Sequence, residues 1–119
     1  MAVLSKAQIL AAKDLDSEIV KVPEWGGEVK VRTMTGVERD SFESSIFEMK
    51  GNDTKQNLTN LRAKLVGRVL VDDEGNRLFT DKEVEELGKK SARALDKVFK
   101  VAQRLNGIGG DAVEELTKN

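Results

Sequence analysis

The sequence predicts an α+β protein, mainly α-helical, in which an N-terminal β-hairpin packs on a bundle of about four to five helices. A single proline among 119 residues leaves long segments free to be helical. Capping side chains recur three residues before an acidic or amide residue, as in Ser5 and Gln8. Two short segments alternate β-branched and polar residues, which is typical of strands. Residues 1–119 are predicted to form one domain.

The N-terminal part is predicted to contain a short helix, begun by Ser5, and then a hairpin over about residues 17–34. The strands, Ser17–Val22 and Glu28–Met34, are joined by Pro-Glu-Trp-Gly-Gly. We expect Lys30 and Arg32 to point to water. The opposite face is predicted to be buried and holds Val20, Val22, Val29, Val31 and Thr33.

Residues 35–119 are predicted to be a helical remainder. One helix spans Thr35–Gly51, since Phe42, Ile46 and Met49 recur at helical spacing. The next, Lys55–Val71, is predicted to be the central helix because its apolar face is the widest. That face comprises Leu58, Leu61, Leu65, Val66, Val69 and Leu70.

The segment from Val69 to Phe79 is predicted to form a second small hairpin. A short helix, Thr80–Gly88, turns Val84 and Leu87 inward. The strongest helical pattern runs over 95–105 and ends at Asn106-Gly107, and a last helix begins at Asp111 and frays at its end. The inward positions of the strong helix are Leu95, Val98, Phe99, Ala102 and Leu105.

The composition excludes much catalytic chemistry. The chain has no His and no Cys, so a Ser-His-Asp triad, a Cys-His pair and an ordinary zinc site are impossible. We therefore predict no enzyme, no catalytic residue, no cofactor and no metal site. A calcium-loop pattern at Asp72, Glu74, Asn76 and Glu83 fails because Arg77 stands where the sharp turn needs glycine.

The alternative function is a small helix-turn-helix regulator that binds DNA. A turn at residues 85–91 is followed by a helix, and the segment is basic. The chain has a net charge of only -1, and the basic spacing also suits a solvated helix face, so we do not expect nucleic-acid binding. The basic residues are Lys89, Lys90, Arg93, Lys97, Lys100 and Arg104.

Candidate partner-binding residues lie in and after the hairpin. Trp25, the only tryptophan, stands in a turn, where an aromatic side chain is either a staple onto the core or an exposed anchor for a partner. A hairpin edge can also accept a further strand. The candidates are Trp25, Val29, Val31 and Met34.

Three segments carry motifs that matter together. The first is Ile19–Arg32, with Val-Pro-Glu-Trp-Gly-Gly, and the second is Met34–Glu43, with Thr-Gly-Val-Glu-Arg-Asp-Ser-Phe-Glu. The third is Asp72–Phe79, which ends in Arg-Leu-Phe and precedes Thr80–Leu87. Each motif is a turn, cap or strand and none is catalytic. In this order they resemble the tail assembly chaperones of long-tailed bacteriophages, and the resemblance covers most of the chain.

The resemblance implies a non-enzymatic role in virion morphogenesis. The partners it implies are the tape measure protein, kept soluble, the tail tube protein, recruited through a frameshifted longer form, and further copies of the chain. It also implies a place in the host cytoplasm and absence from the mature virion. The sequence agrees with a cytoplasmic protein, since no stretch approaches the roughly 20 apolar residues that cross a bilayer.

Overall fold

The computed structural model describes residues 2–50, 53–56 and 60–108. The helices there are α1 (Lys6–Ala11), α2 (Gly36–Ile46), α3 (Leu61–Val69), α4 (Val84–Leu87) and α5 (Ala92–Leu105). The strands are β1 (Ser17–Val22), β2 (Gly27–Arg32), β3 (Phe47–Lys50), β4 (Asp53–Gln56) and β5 (Leu70–Val71). The predicted α+β, mainly helical class with an N-terminal hairpin is confirmed.

The hairpin is formed by β1 and β2, which pair antiparallel with Val20 opposite Val29. Val22 and Val31 are completely buried, as the alternating pattern predicts. The expectation that Arg32 points to water is wrong. Its guanidinium donates to both carboxylate oxygens of Glu38 at 2.9 Å, because β2 leads directly into α2, and the side chain is only 18% exposed.

The second predicted hairpin is present in a reduced form. β5 has two residues and pairs with β2, so that Leu70 lies opposite Val31. The chain then turns, and Arg77 forms an isolated bridge with Val71. The sheet order is therefore β1-β2-β5, and β5 adds a third strand to the N-terminal hairpin.

The helix predicted over 35–51 is shorter in the structure. Phe42 and Ile46 are buried as expected, and α2 ends at Ile46. Met49 lies in β3, which pairs with β4 so that Lys50 is opposite Asp53. The helical spacing of Met49 was misleading, because the Gly-Asn pair at 51–52 is typical of a two-residue hairpin connection.

The central helix also begins later than predicted. Lys55 and Gln56 belong to β4, Leu58 lies outside the described residues, and α3 begins after Asn60, whose φ is +59°. Its central position is confirmed, because α3 contacts α2, α4 and α5. Buried on α3 are Ala63, Leu65, Val66, Gly67, Arg68 and Val69.

The two C-terminal helices complete the core. Val84 and Leu87 of α4 are buried, as predicted. α5 contacts α3, β1 and β2. It begins at Ala92, after the N-cap Ser91, and the helix stops at Asn106-Gly107, where Gly107 has a φ of +66°. The helix predicted from Asp111 lies outside the described residues. The core side of α5 consists of Ala94, Leu95, Val98, Phe99 and Ala102.

Candidate partner-binding groove

Trp25 is positioned by the turn between β1 and β2. Pro23–Trp25 form one turn of 3-10 helix, and Gly26 closes it with a φ of +78°, a backbone region that favours glycine. The indole is half-buried and packs against the core. Its Nε1–H is buried and has no hydrogen-bond partner in the described part of the chain. Trp25 is thus a staple onto the core.

Trp25 also forms a wall of an open apolar groove of about 460 Å³. The groove lies between the hairpin, β5 and α4. Leu78 is the most accessible apolar contributor, at 49% exposed, while Glu86 and Lys90 stand at one edge. The apolar lining consists of Trp25, Val29, Leu70, Leu78, Phe79 and Leu87. Trp25 therefore packs on the core and also lines the groove.

The turn after β5 brings Leu78 and Phe79 to the groove. The Asp72 carboxylate accepts from the N–H groups of Glu74 and Asn76, and Gly75 has a φ of +89°. The backbone hydrogen bond from Asn76 is the main reason that the pKa of Asp72 lies below its usual value. Leu78 N–H then donates to Leu70 O at 3.0 Å, which anchors the returning chain against β5.

The same turn explains the failed calcium pattern. Arg77, the sixth residue of the pattern, donates to Gly67 O at 3.1 Å and pairs with Asp81 at 3.0 Å. Its positively charged guanidinium therefore lies beside the turn. Across residues 2–50, 53–56 and 60–108, no group of three or more acidic residues could hold a metal ion. The Asp72 carboxylate serves the backbone of its own turn.

The four residues proposed from the sequence do not form one site. Trp25 and Val29 line the groove. Val31 is completely buried, so its side chain belongs to the core and is not accessible to a partner. Met34 lies beyond the far end of β2, where its N–H donates to Asn106 Oδ1 at 2.6 Å. Sequence reasoning missed Leu78, Phe79 and Leu87, although the adjacent apolar pair after a polar turn was a usable signal.

Comparison with known proteins identifies the family. Residues 5–119 match the family model described as phage tail assembly chaperone. The chain belongs to the phage tail assembly chaperone family. The chaperone also resembles the solved tail assembly chaperone of bacteriophage HK97, with a TM-score of 0.59 and 21% identity over 83% of this chain and 94% of that one. That likeness supports the α+β fold, and no curated protein matches the sequence.

The basic face of α5 in this chaperone is engaged by carboxylates. Lys97 pairs with Glu24 at 2.9 Å and Arg104 with Glu18 at 2.6 Å, both across to the hairpin. The hydrogen bond from Lys97 lowers the pKa of Glu24, and the bond to Glu18 raises the pKa of Arg104. These pairs connect α5 to the hairpin, and they compete with the phosphate contacts that a DNA-recognition helix requires.

No helix in the described ranges of this chaperone is long and apolar enough to span a bilayer. The family is one of chaperones and is not an enzyme class. The ionisable groups that line the groove are Glu86 and Lys90. The groove is therefore an apolar surface with two charged side chains of opposite sign.

Proposed function

We propose that this chain is a non-catalytic chaperone that binds the tape measure protein in the host cytoplasm and keeps it soluble. It helps to recruit tail tube subunits during tail morphogenesis and leaves before the virion is mature. Family membership supports a role in tail assembly. The observation that carries the contact site is the open groove beside Trp25.

The groove suits an amphipathic helix as its ligand. Its volume of about 460 Å³ admits a few side chains at a time, and its lining offers aliphatic and aromatic contacts. Such grooves bind the apolar face of an amphipathic helix, whose contacting side chains lie at positions i, i+3, i+4 and i+7. Glu86 and Lys90, four residues apart beside the groove, offer both signs of charge to the polar flank of the ligand.

A shallow site is sufficient when the client is long. Each copy of the chaperone would cover one segment of the tape measure protein, and several copies on one client would gain avidity from their shared ligand. Recruitment of the tail tube protein is assigned to a longer, frameshifted form of the same chain. This assignment and self-association rest on the family resemblance.

Co-expression tests the proposal. The tape measure protein is produced with the wild-type chain, with Leu78→Glu, or with Val37→Glu as the matched control. Both leucine and valine are exposed, at 49% and 79%, but Val37 lies on α2 and does not line the groove. We expect soluble client with the wild type and the control, and insoluble client with Leu78→Glu. Equal solubility with Leu78→Glu, while circular dichroism shows a native fold, would remove the groove from the proposal.

A further inference from the structure

A second cavity adjoins the groove beside the short strand β5. β5 pairs with β2 only at Lys30 and Val31, so within the described ranges no strand continues along β2 at Glu28 and Val29. The space left there has a volume of about 340 Å³. Its apolar lining consists of Ile19, Val29, Val71 and Leu78.

The groove and this second cavity form one surface. Val29 and Leu78 line both of them. Leu78 is 49% exposed, and Ile19, which lines only the second cavity, is 54% exposed. Accessible apolar side chains therefore continue from Trp25 past Leu78 to Ile19. A ligand that is longer than the groove would cover both cavities.

The second cavity is acidic. Three carboxylates and one ammonium group line it, which gives a net charge of -2, and these groups belong to Glu28, Asp72, Asp73 and Lys30. Across residues 2–50, 53–56 and 60–108, none of the three carboxylates forms an ion pair. In the groove, by contrast, the charges of Glu86 and Lys90 cancel. The combined surface is thus neutral beside α4 and negative beside β5.

Two of these carboxylates do not serve the fold. Glu28 and Asp73 are exposed, and neither side chain forms a hydrogen bond in the part of the chain that the structure describes. Asp72 differs, because its carboxylate accepts from the backbone of its own turn. Carboxylates that lie close together repel one another, and a cationic group placed among them relieves that repulsion. The acidic cavity therefore favours a positively charged ligand group.

We propose that the client segment is an amphipathic helix with basic residues at one end, which lie in the acidic cavity while its apolar face covers the groove. Such a ligand matches the surface both in its apolar contacts and in the sign of its charge. A polyanion such as a nucleic acid is repelled by the same carboxylates. The inference rests on the proposed function, because it assigns a charge pattern to the ligand of the same groove.

Peptide titrations test the charge pattern. The probes are synthetic helices of about 18 residues, long enough to form in water, with leucines at helical spacing and no tryptophan. They carry lysines, glutamines or glutamates at the same positions of the last turn. Binding is followed by the fluorescence of Trp25, the only tryptophan of the chain. We expect the lysine peptide to bind about tenfold more tightly than the glutamine peptide, because several weak surface ion pairs add. The preference should disappear at about 1 M salt, where the Debye length is about 3 Å.

Charge reversal in the chain provides the matched variants. Asp73→Lys should abolish the preference for the lysine peptide, and Asp73→Lys combined with Glu28→Lys should reverse it in favour of the glutamate peptide. Tighter binding of the glutamate peptide also shows that the double variant is folded. Asp40→Lys makes the same change at an exposed position of α2 that lines neither cavity. We expect it to bind all three peptides as the wild type does.

Three outcomes would overturn the inference. The lysine peptide binds no more tightly than the glutamine peptide, its advantage survives in the double variant, or Leu78→Glu binds it as the wild type does. The proposed function is tested separately by the solubility of the co-expressed client. Equal binding of all three peptides, lost in Leu78→Glu, would refute the charge pattern and leave the groove as the client site.

Discussion

Replacing Asn106 by alanine tests how the end of α5 is joined to the hairpin. Asn106 Oδ1 accepts from Met34 N–H at 2.6 Å, and its Nδ2 donates to Ala102 O at 2.8 Å. Both bonds are partly buried, and the first joins residues 72 positions apart. Asn106→Ala leaves the Met34 N–H without its acceptor, which costs about 1–3 kcal/mol, and removes a bond of about 1 kcal/mol net. We therefore expect a loss of about 2–4 kcal/mol in the free energy of unfolding.

Asn106→Asp is the matched control. A carboxylate retains the acceptor for Met34 N–H, but it replaces the donor to Ala102 O by a second acceptor and adds a negative charge at the C-terminus of α5. Arg39, which donates to Asn106 O at 3.1 Å, offsets part of that charge. Urea unfolding followed by circular dichroism should therefore give Asn106→Asp a stability between those of Asn106→Ala and the wild type. The reasoning is refuted if Asn106→Ala costs less than about 0.5 kcal/mol, or if the two variants are equally unstable.

Three further predictions concern the core, a helix cap and pH. Leu65→Ala, at a completely buried position on α3, should cost about 3–5 kcal/mol by urea unfolding, and a loss near zero would contradict its central place. Thr35→Ala removes the acceptor for Glu38 N–H and should lower the free energy of unfolding by about 1 kcal/mol. Thr35→Ser keeps the hydroxyl and should be nearly as stable as the wild type. The hydrogen bond from Lys97 lowers the pKa of Glu24 in the folded state. The pair therefore stabilises the fold above the ordinary pKa of a glutamate, and this stabilisation is lost as the pH falls through the pKa of Glu24 in the folded protein. The melting temperature of Lys97→Met should therefore fall less than that of the wild type when the solution is acidified. If the melting temperatures of both proteins depend on pH in the same way, the pair does not contribute to stability.

Local signals predicted much of the fold. The alternation of β-branched and polar residues and the Pro-Glu-Trp-Gly-Gly turn identified the hairpin. The capping boxes that begin at Ser5, Thr35 and Thr80 are all formed. The apolar spacing of α5 and its stop at Asn106 also held. These features depend on neighbours within four residues, so a single sequence contains the information that sets them.

The errors arose where two local patterns competed. Met49 continued the helical spacing of Phe42 and Ile46, yet the following Gly-Asn pair favours a hairpin, and the chain forms β3 and β4. Asn60, in a left-handed conformation, precedes α3, which begins at Leu61, six residues after the predicted start at Lys55. Propensity alone does not rank such alternatives, because tertiary packing decides between them.

The candidate site required contacts between distant parts of the chain. Trp25 and Val29 were identified from the hairpin, but Leu78, Phe79 and Leu87 come from segments some fifty residues later. The pairing of β5 with β2 places Leu78 and Phe79, which follow β5, beside Val29. Val31 is completely buried, as the alternating pattern predicts, so its side chain is not accessible to a partner although it was among the candidates. Exposure of a strand residue depends on what covers the sheet.

Tail formation in the encoding phage tests the central claim most directly. The gene is disrupted, the chain is supplied in trans as wild type, Leu78→Glu or Val37→Glu, and tailed particles are counted by electron microscopy. We predict tails with the wild type and with Val37→Glu, and tailless heads with Leu78→Glu although that variant is folded and abundant. Normal numbers of tailed particles with Leu78→Glu would contradict the assignment of the groove to chaperone function.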